Sequence, residues 1–276
     1  MPTQKHILAF IGAGNMAASL IHGLLNDGAS AADIRIADPV PAQRDKFASL
    51  GVQTYADNDQ AVAGADIVVL AVKPQVARDV VSGLTTLQPA QVMLSIAAGI
   101  NLASLSRWSS AHQPIVRCMP NTPALYGAGM SALFANDHCS TTQRQLAETT
   151  LTAAGETLWV SQESALDAVT AVSGSGPAYF FLLMEAMVDS GVALGLDQKT
   201  ATRLTLQTAY GAALMARDSD ESPAVLRQNV TSPGGTTAAA LEVMMERHMP
   251  EIIKAALVAA DARATELAEE FGGEAS

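Results

Sequence analysis

The sequence predicts a two-domain chain: an α/β domain built on a parallel sheet, then an all-α C-terminal domain. Three features predict it. Short continuous apolar runs alternate with helical patterns through the first half, the repeat of β-α-β units whose strands are covered on both faces. A glycine-rich turn joins the first strand to the first helix. From about Leu166 the strand-like runs vanish and long helical patterns follow. The boundary is placed near residue 164, giving domains 1–164 and 165–276.

Each element has its own warrant. Residues 7–11 form an apolar run that ends at Gly12, as a doubly covered parallel strand does. Residues 15–26 carry Met16, Leu20 and Leu24 at helical spacing, and 34–37 read as a second strand. Residues 66–72 and 92–96 are two more buried strands, with a helix starting from Gln75 between them, and 115–118 are a further strand. Such units imply right-handed crossovers. In the second half, helices are expected over 179–194, 199–217, 236–247 and 250–271. Gly195, Ser222-Pro223 and Pro233-Gly234-Gly235 punctuate them.

Composition narrows the function. Hydrophobic residues make up 49% of the chain and charged residues 16%, enough apolar material for a packed core and too little charge for disorder. The small charged share also leaves helix surface that subunit contacts would bury. The net charge of −11, with no basic cluster, excludes nucleic acid as a partner, because phosphate neutralisation needs a basic face. Two cysteines, Cys118 and Cys139, cannot form a disulfide framework. The first apolar run is broken by Gly12, Gly14 and Asn15, so it is neither a signal peptide nor a membrane span. A cytoplasmic location follows as the expectation, with no metal site.

Gly12-Ala13-Gly14-Asn15-Met16-Ala17 is a G-x-G-x-x-A turn after a strand and before a helix, the Rossmann-type fingerprint for a dinucleotide. Gly12 permits the tight turn, Gly14 lets a pyrophosphate approach the backbone, and Ala17 keeps the helix close to the sheet. The helix N-terminus offers free N–H groups and the positive end of its dipole. Asp38 follows the second strand 24 residues after Gly14, where an acid bonds a ribose 2′-hydroxyl; it is equally an ordinary turn residue before Pro39. Arg35 and Arg44 lie nearby and could meet a 2′-phosphate, so the choice between NADPH and NADH stays open. Ala71-Val72-Lys73-Pro74 ends a strand at the sheet's carboxyl edge, and Lys73 is either a ligand contact or a solvated lysine. Asn121 and Thr122, in the polar turn after residues 115–118, suit a nicotinamide amide.

Two Gly/Ser-rich turns open helices in the second half: Ser173-Gly174-Ser175-Gly176-Pro177 and Ser232-Pro233-Gly234-Gly235-Thr236-Thr237. Alone, each reads as a helix cap; the second would also hold a small carboxylate by its amides without any arginine. Together with Phe10 to Ala17, Ala71 to Pro74, Ser95-Ile96-Ala97-Ala98-Gly99 and Arg117 to Pro123, these segments resemble the pyrroline-5-carboxylate reductase family over nearly the whole chain.

The resemblance implies a Rossmann-type N-terminal domain with a parallel sheet, followed by an all-α C-terminal dimerisation domain. It implies NADPH as cofactor, NADH remaining open, and reduction of 1-pyrroline-5-carboxylate to L-proline. It implies a homodimer, with dimers assembled into larger rings. On this resemblance the cofactor meets Gly12, Ala13, Gly14, Asn15, Met16, Asp38, Asn58, Ala71, Val72, Lys73, Pro74, Ala97 and Asn121, with Asn58 at the adenosine ribose. The substrate meets Ser232 and the backbone of Gly234, Gly235 and Thr236, and Thr237 sets its hydroxyl beside the ring nitrogen as the catalytic residue.

An imine can already carry its proton, so its reduction needs position and a hydrogen-bond partner more than a strong acid. The chain has no lysine between Lys73 and Lys199, and Phe180 stands where similar hydroxyacid dehydrogenases carry a catalytic lysine. Two alternatives remain: a related imine or hydroxyacid oxidoreductase, and a non-catalytic NAD(P)H sensor.

Overall fold

The computed structural model describes residues 6–272. Its centre is an eight-stranded sheet: β1 (Leu8–Ile11), β2 (Ile34–Ala37), β3 (Gln53–Tyr55), β4 (Ile67–Leu70), β5 (Val92–Ser95), β6 (Ile115–Met119), β7 (Gly129–Ala135) and β8 (Gly155–Trp159). The strand order is β3-β2-β1-β4-β5-β6-β7-β8. From β3 to β6 every pairing is parallel, so the order reverses between β1 and β4, the switch point where open α/β sheets bind ligands.

The expected strands and helices are present to within a few residues, and three strands are added to them. Edge strand β3 is short and partly exposed, which hides its signal. β7 runs antiparallel to β6, a departure from the parallel sheet expected. Its cause is the connection from Met119 to Gly129, shorter than the roughly dozen residues a parallel crossover needs. β8 then pairs parallel with β7.

Both faces of the sheet are covered, which explains the unbroken apolar runs. Phe10, Ile36, Val69 and Leu94 point into one core with α1 (Asn15–Asn26) and α6 (Thr141–Thr152). Ile11, Leu70, Met93 and Ile115 point into the other, below α4 (Pro74–Gly83) and α5 (Leu102–Trp108). α1 buries Ala17, Leu20, Ile21 and Leu24, one helical stripe. Each of its large members contributes about 1.5–3 kcal/mol when fully buried. α6 begins with a capping box: the Gln143 amide donates to Ser140 Oγ at 3.2 Å, and the Ser140 amide to Gln143 Oε1 at 2.9 Å. Short helices α2 (Pro41–Ala48), α3 (Asn58–Val62) and α7 (Ala165–Val169) complete this part.

The chain forms two compact units. One runs to Ser175 and takes up the chain again from Ala260; the other is Gly176–Ala259. The change of texture near residue 164 thus precedes the division of compact units, because α7 packs on β6 and β7 and stays with the sheet. The last part of α12 (Met249–Gly272) also belongs to the sheet unit: Phe271 packs into the second core, and the Gly272 carbonyl accepts from Ser104 Oγ at 3.0 Å and Arg107 at 2.6 Å.

The helical unit comprises α8 (Gly176–Ala193), α9 (Gln198–Asp218), α10 (Pro223–Asn229), α11 (Thr236–Glu246) and the first half of α12. α9 starts at Asp197, whose carboxylate accepts from the Thr200 amide at 3.0 Å and hydroxyl at 2.6 Å. α8 and α9 pair closely where Gly191 faces the Ala201 methyl. Much of the unit's apolar surface stays open: Phe180 is 64% exposed, Leu182 66%, Ile252 62% and Val258 61%. Patches of this size mark contact surfaces.

Both thiols are buried, and burial pushes Cys118 up to about 12 and Cys139 to about 11. The folded protein at pH 8 should therefore react slowly with a disulfide reagent, and release two equivalents quickly only in denaturant. Fast labelling of the native protein would contradict this burial.

Candidate active site

The parallel strands bring the expected cofactor residues to one edge. Gly12 to Met16 follow β1, Asp38 follows β2, Asn58 opens α3 after β3, Ala71 to Pro74 follow β4, Ala97 follows β5 and Asn121 follows β6. Gly12 has φ +98°, and a Cβ there would fall 2.6 Å from the Ala71 carbonyl oxygen. No L side chain fits that conformation and that gap together. The Gly12 amide donates to the Ala37 carbonyl at 2.8 Å, and the Ala71 amide to Ile11 at 2.8 Å. The turn is therefore bolted to both neighbouring strands. Gly14, the N-cap of α1, has open space where a Cβ would stand and no side-chain cap. The first amides of α1 have no intrahelical acceptor, which is the cradle a pyrophosphate fits.

Asp38 is more engaged than the sequence suggests. Its Oδ2 accepts from the Ala13 amide at 2.9 Å and its Oδ1 from the Val40 amide at 2.8 Å. One carboxylate thus ties the glycine turn to the end of β2. Arg35 is turned away, donating to the carbonyls of Ala61 and Ala63 at 3.3 and 2.7 Å. Arg44 donates to the Asp38 carbonyl and stays at the end of β2. Of the two arginines, Arg44 is the one that stays beside Asp38. Lys73 is exposed at the N-cap of α4.

Asn121 departs from expectation. Its side chain is committed to protein partners: Oδ1 accepts from the Met130 amide at 2.9 Å, and Nδ2 lies 3.2 Å from both the carbonyl and hydroxyl oxygens of Ser173. The side chain is thus held between β7 and the Ser173 turn before any ligand is considered.

Beneath β5 and β6, Arg117 pairs with Glu163 at 2.6 Å, and Glu163 also accepts from the Leu102 amide at 2.7 Å. Beside it, burial raises the Asp167 carboxyl above its ordinary range, against the opposing pull of Arg117. Nothing in the sequence marks Glu163, which lies 46 residues from its partner.

In the helical unit, Gly234 has φ +70° and Gly235 caps α11 without a side chain. The Gly235 amide donates to the Ser232 carbonyl at 3.0 Å, closing the turn. Of the three amides expected to hold a carboxylate, Gly235's is thus partly spent. Those of Thr236, Thr237 and Ala238, in the first turn, have no intrahelical acceptor; the Ala239 amide is the first to find one, the Gly235 carbonyl at 3.2 Å. Thr237 is half-buried in the first turn of α11. A cavity of about 630 Å³ opens here, lined by Gly234, Gly235 and Ala238 together with Arg227 and Glu242. Neither Arg227 nor Glu242 was foreseen; α10 and α11 bring them to the turn from either side in sequence.

A family model described as pyrroline-5-carboxylate reductase dimerisation matches residues 163–267, and one described as NADP oxidoreductase, coenzyme F420-dependent, matches 7–99. A pyrroline-5-carboxylate reductase of Pseudomonas aeruginosa is 53% identical over 267 residues, 96% of this chain and 98% of that protein. The chain belongs to the pyrroline-5-carboxylate reductase family.

Among solved structures, a family reductase from Coxiella burnetii superposes with a TM-score of 0.89 at 40% identity, covering 96% of this chain and 99% of that one. The Plasmodium falciparum reductase, solved with NADP bound, gives 0.87 at 28% identity over 96% and 99%. The chain is an NAD(P)H-dependent oxidoreductase of this family. The glycine turn fits that cofactor: Gly14 leaves room at the backbone, and the first amides of α1 have neither an intrahelical acceptor nor a side-chain cap among the described residues. Replacing Gly12 with Ala should cost roughly 1–3 kcal/mol of strain in a denaturant melt and abolish NADPH binding in a fluorescence titration. Unchanged binding would show that the Gly12–Ala71 contact is dispensable.

Proposed function

We propose that the chain reduces 1-pyrroline-5-carboxylate to L-proline with NADPH, the last step of proline biosynthesis. The observation that carries the reading is the uncapped Gly234-Gly235-Thr236-Thr237 start of α11, in a chain related over its whole length to such reductases. Residues 1–164 bind the dinucleotide through the glycine turn, Asn58, Ala71 to Pro74 and Ala97. Residues 165–276 bind substrate and a second subunit.

The roles divide by chemistry. Amides of Gly234 and Thr236, with Ser232, hold the carboxylate as a helix N-terminus holds an anion. Thr237 offers its hydroxyl to the ring nitrogen. A hydroxyl is too weak an acid to protonate an imine at neutral pH, so Thr237 orients a nitrogen that already carries its proton. Bound reduced nicotinamide supplies the hydride for the C=N carbon. Arg44 favours NADPH, because Asp38 has both carboxylate oxygens engaged by amides and the guanidinium stands beside it.

The exposed apolar faces of α8, α9, α11 and α12 are assigned to a second copy of the chain, giving an isologous homodimer, with larger rings of dimers as the next level. The stretch Ala165–Ala193 is long and apolar enough to pass as a membrane span; it falls within the segment that matches a dimerisation model, which is the better account of its open face. Two unpaired, buried thiols accord with the cytoplasm.

Initial rates on pyrroline-5-carboxylate with each cofactor test the activity: consumption is expected with NADPH ahead of NADH, and none at all would refute it. Thr237→Ala should lower kcat about tenfold, the worth of one hydrogen bond formed at the reacting nitrogen, with NADPH affinity kept. Unaltered kinetics would remove Thr237 from the mechanism. Light scattering should return a dimer or a multiple of it; a monomer would end the assignment of these faces.

A further inference from the structure

Asn121 is 9% exposed and stands two residues past the end of β6, on the half of the sheet that takes the second mononucleotide of a dinucleotide. Its orientation is fixed, because the Met130 amide can meet only an acceptor; the Nδ2 side must therefore face Ser173. Ser173 lies in a five-residue π turn, Thr170–Gly174, which the Ser175 amide closes on the Thr170 carbonyl at 2.8 Å. Met119, the last residue of β6, lays its terminal methyl 2.5 Å from where a Gly174 Cβ would be. A side chain at 174 would evict it. Asn121 and Met119 thus hold one irregular turn, the first by hydrogen bonds and the second by packing. Single π turns inside helical runs cluster at functional sites, since they forgo regular hydrogen bonding.

We propose that Asn121 is a positioning residue for hydride transfer: its amide pins the Ser173 π turn to the carboxyl end of β6 and makes no direct bond to the cofactor. The proposal rests on the reductase reading given above. It assigns the turn a mechanical role at the nicotinamide half of the sheet, and it explains why an amide, with donors and an acceptor on one planar group, stands there. An aspartate would keep the acceptor for Met130 and set an oxygen against the Ser173 carbonyl. Displacement by about 1 Å near reacting atoms costs on the order of a hundredfold in rate, so the loss should appear in turnover and leave cofactor affinity alone.

Asn121→Asp and Asn121→Ala are compared with the wild type, measuring kcat on pyrroline-5-carboxylate from pH 5 to pH 9 and NADPH Kd by fluorescence. At pH 8 both should lose kcat on the order of a hundredfold, with Kd unchanged within about twofold. As pH falls, the Asp variant should regain turnover relative to the wild type, because a protonated carboxyl can donate to Ser173; the Ala variant should not. Ser173→Ala, a milder change, should lower kcat several-fold at constant Kd, and it decides the matter if the Asn121 variants fail to fold. A tenfold weaker Kd with kcat intact at saturating NADPH would overturn the proposal in favour of a direct cofactor contact. Equal losses in both Asn121 variants at every pH, or unchanged kcat in Ser173→Ala, would overturn it as well. A wild type that turns over no imine would overturn the reductase reading and this inference with it, and is seen in the reference arm alone.

Discussion

The site depends on one backbone contact, the approach of Gly12 to the Ala71 carbonyl across the gap between β1 and β4. β1 and β4 stay paired, and the helices that follow them, α1 and α4, pack on opposite faces of the sheet; the crevice exists only if the two turns leaving the strands pass without side chains between them. Gly12 supplies that passage through a positive φ and a missing Cβ. Its amide then closes on Ala37, and Ala13's on Asp38, so a single turn is held by β2 as well as by β4. The start of α1 is aimed by this bracing, and α1 in turn is held by a stripe of fully buried Leu20 and Ile21. Core packing and ligand geometry are therefore one construction: the apolar stripe fixes the helix whose first amides would receive a pyrophosphate.

The legible parts of the fold were those with a strong period. β1, β4 and β5 are buried on both faces, and continuous apolar runs announce that directly; β2 follows them except at the partly buried Arg35. The four long helices were placed within a few residues by punctuation at Gly195, Ser222-Pro223 and Pro233-Gly234. β8 escaped because it alternates between half-buried and exposed residues and includes Glu156, a pattern as weak as a loop's. β7 is apolar enough to be seen, but its direction is set by the length of the turn before it, which a search for apolar runs does not weigh.

The site was legible in its residue types and less so in their use. Gly14 and Gly234 had to be where they are, since backbone exposure is itself the function. Asp38 and Asn121 were read as ligand contacts because polar residues at a sheet edge invite that reading. In the structure both also bond protein groups: Asp38 accepts from two amides, and Asn121 bonds Met130 and Ser173. Such commitments join residues up to 52 positions apart, and no local pattern encodes them. Arg117 and Glu163 are the same case, an ion pair formed only once α7's approach to the sheet is known.

An acidic chain that handles two anionic ligands faces an electrostatic difficulty, and its solution shapes the sequence. The net charge of −11 opposes a dinucleotide and a carboxylate alike at long range, where salt screens much of the effect. Attraction must come from groups close to each ligand. On the proposed function the starts of α1 and α11 would provide it: both have glycine at the N-cap with no side-chain cap, and neither needs a lysine. Amides do not titrate, so such a grip would be set by the fold and not by protonation of a side chain. Large apolar side chains meanwhile stay open on the faces of α8 and α12. Those faces are where a chain of this length carries more apolar surface than its own core can take, and where a second copy would complete it.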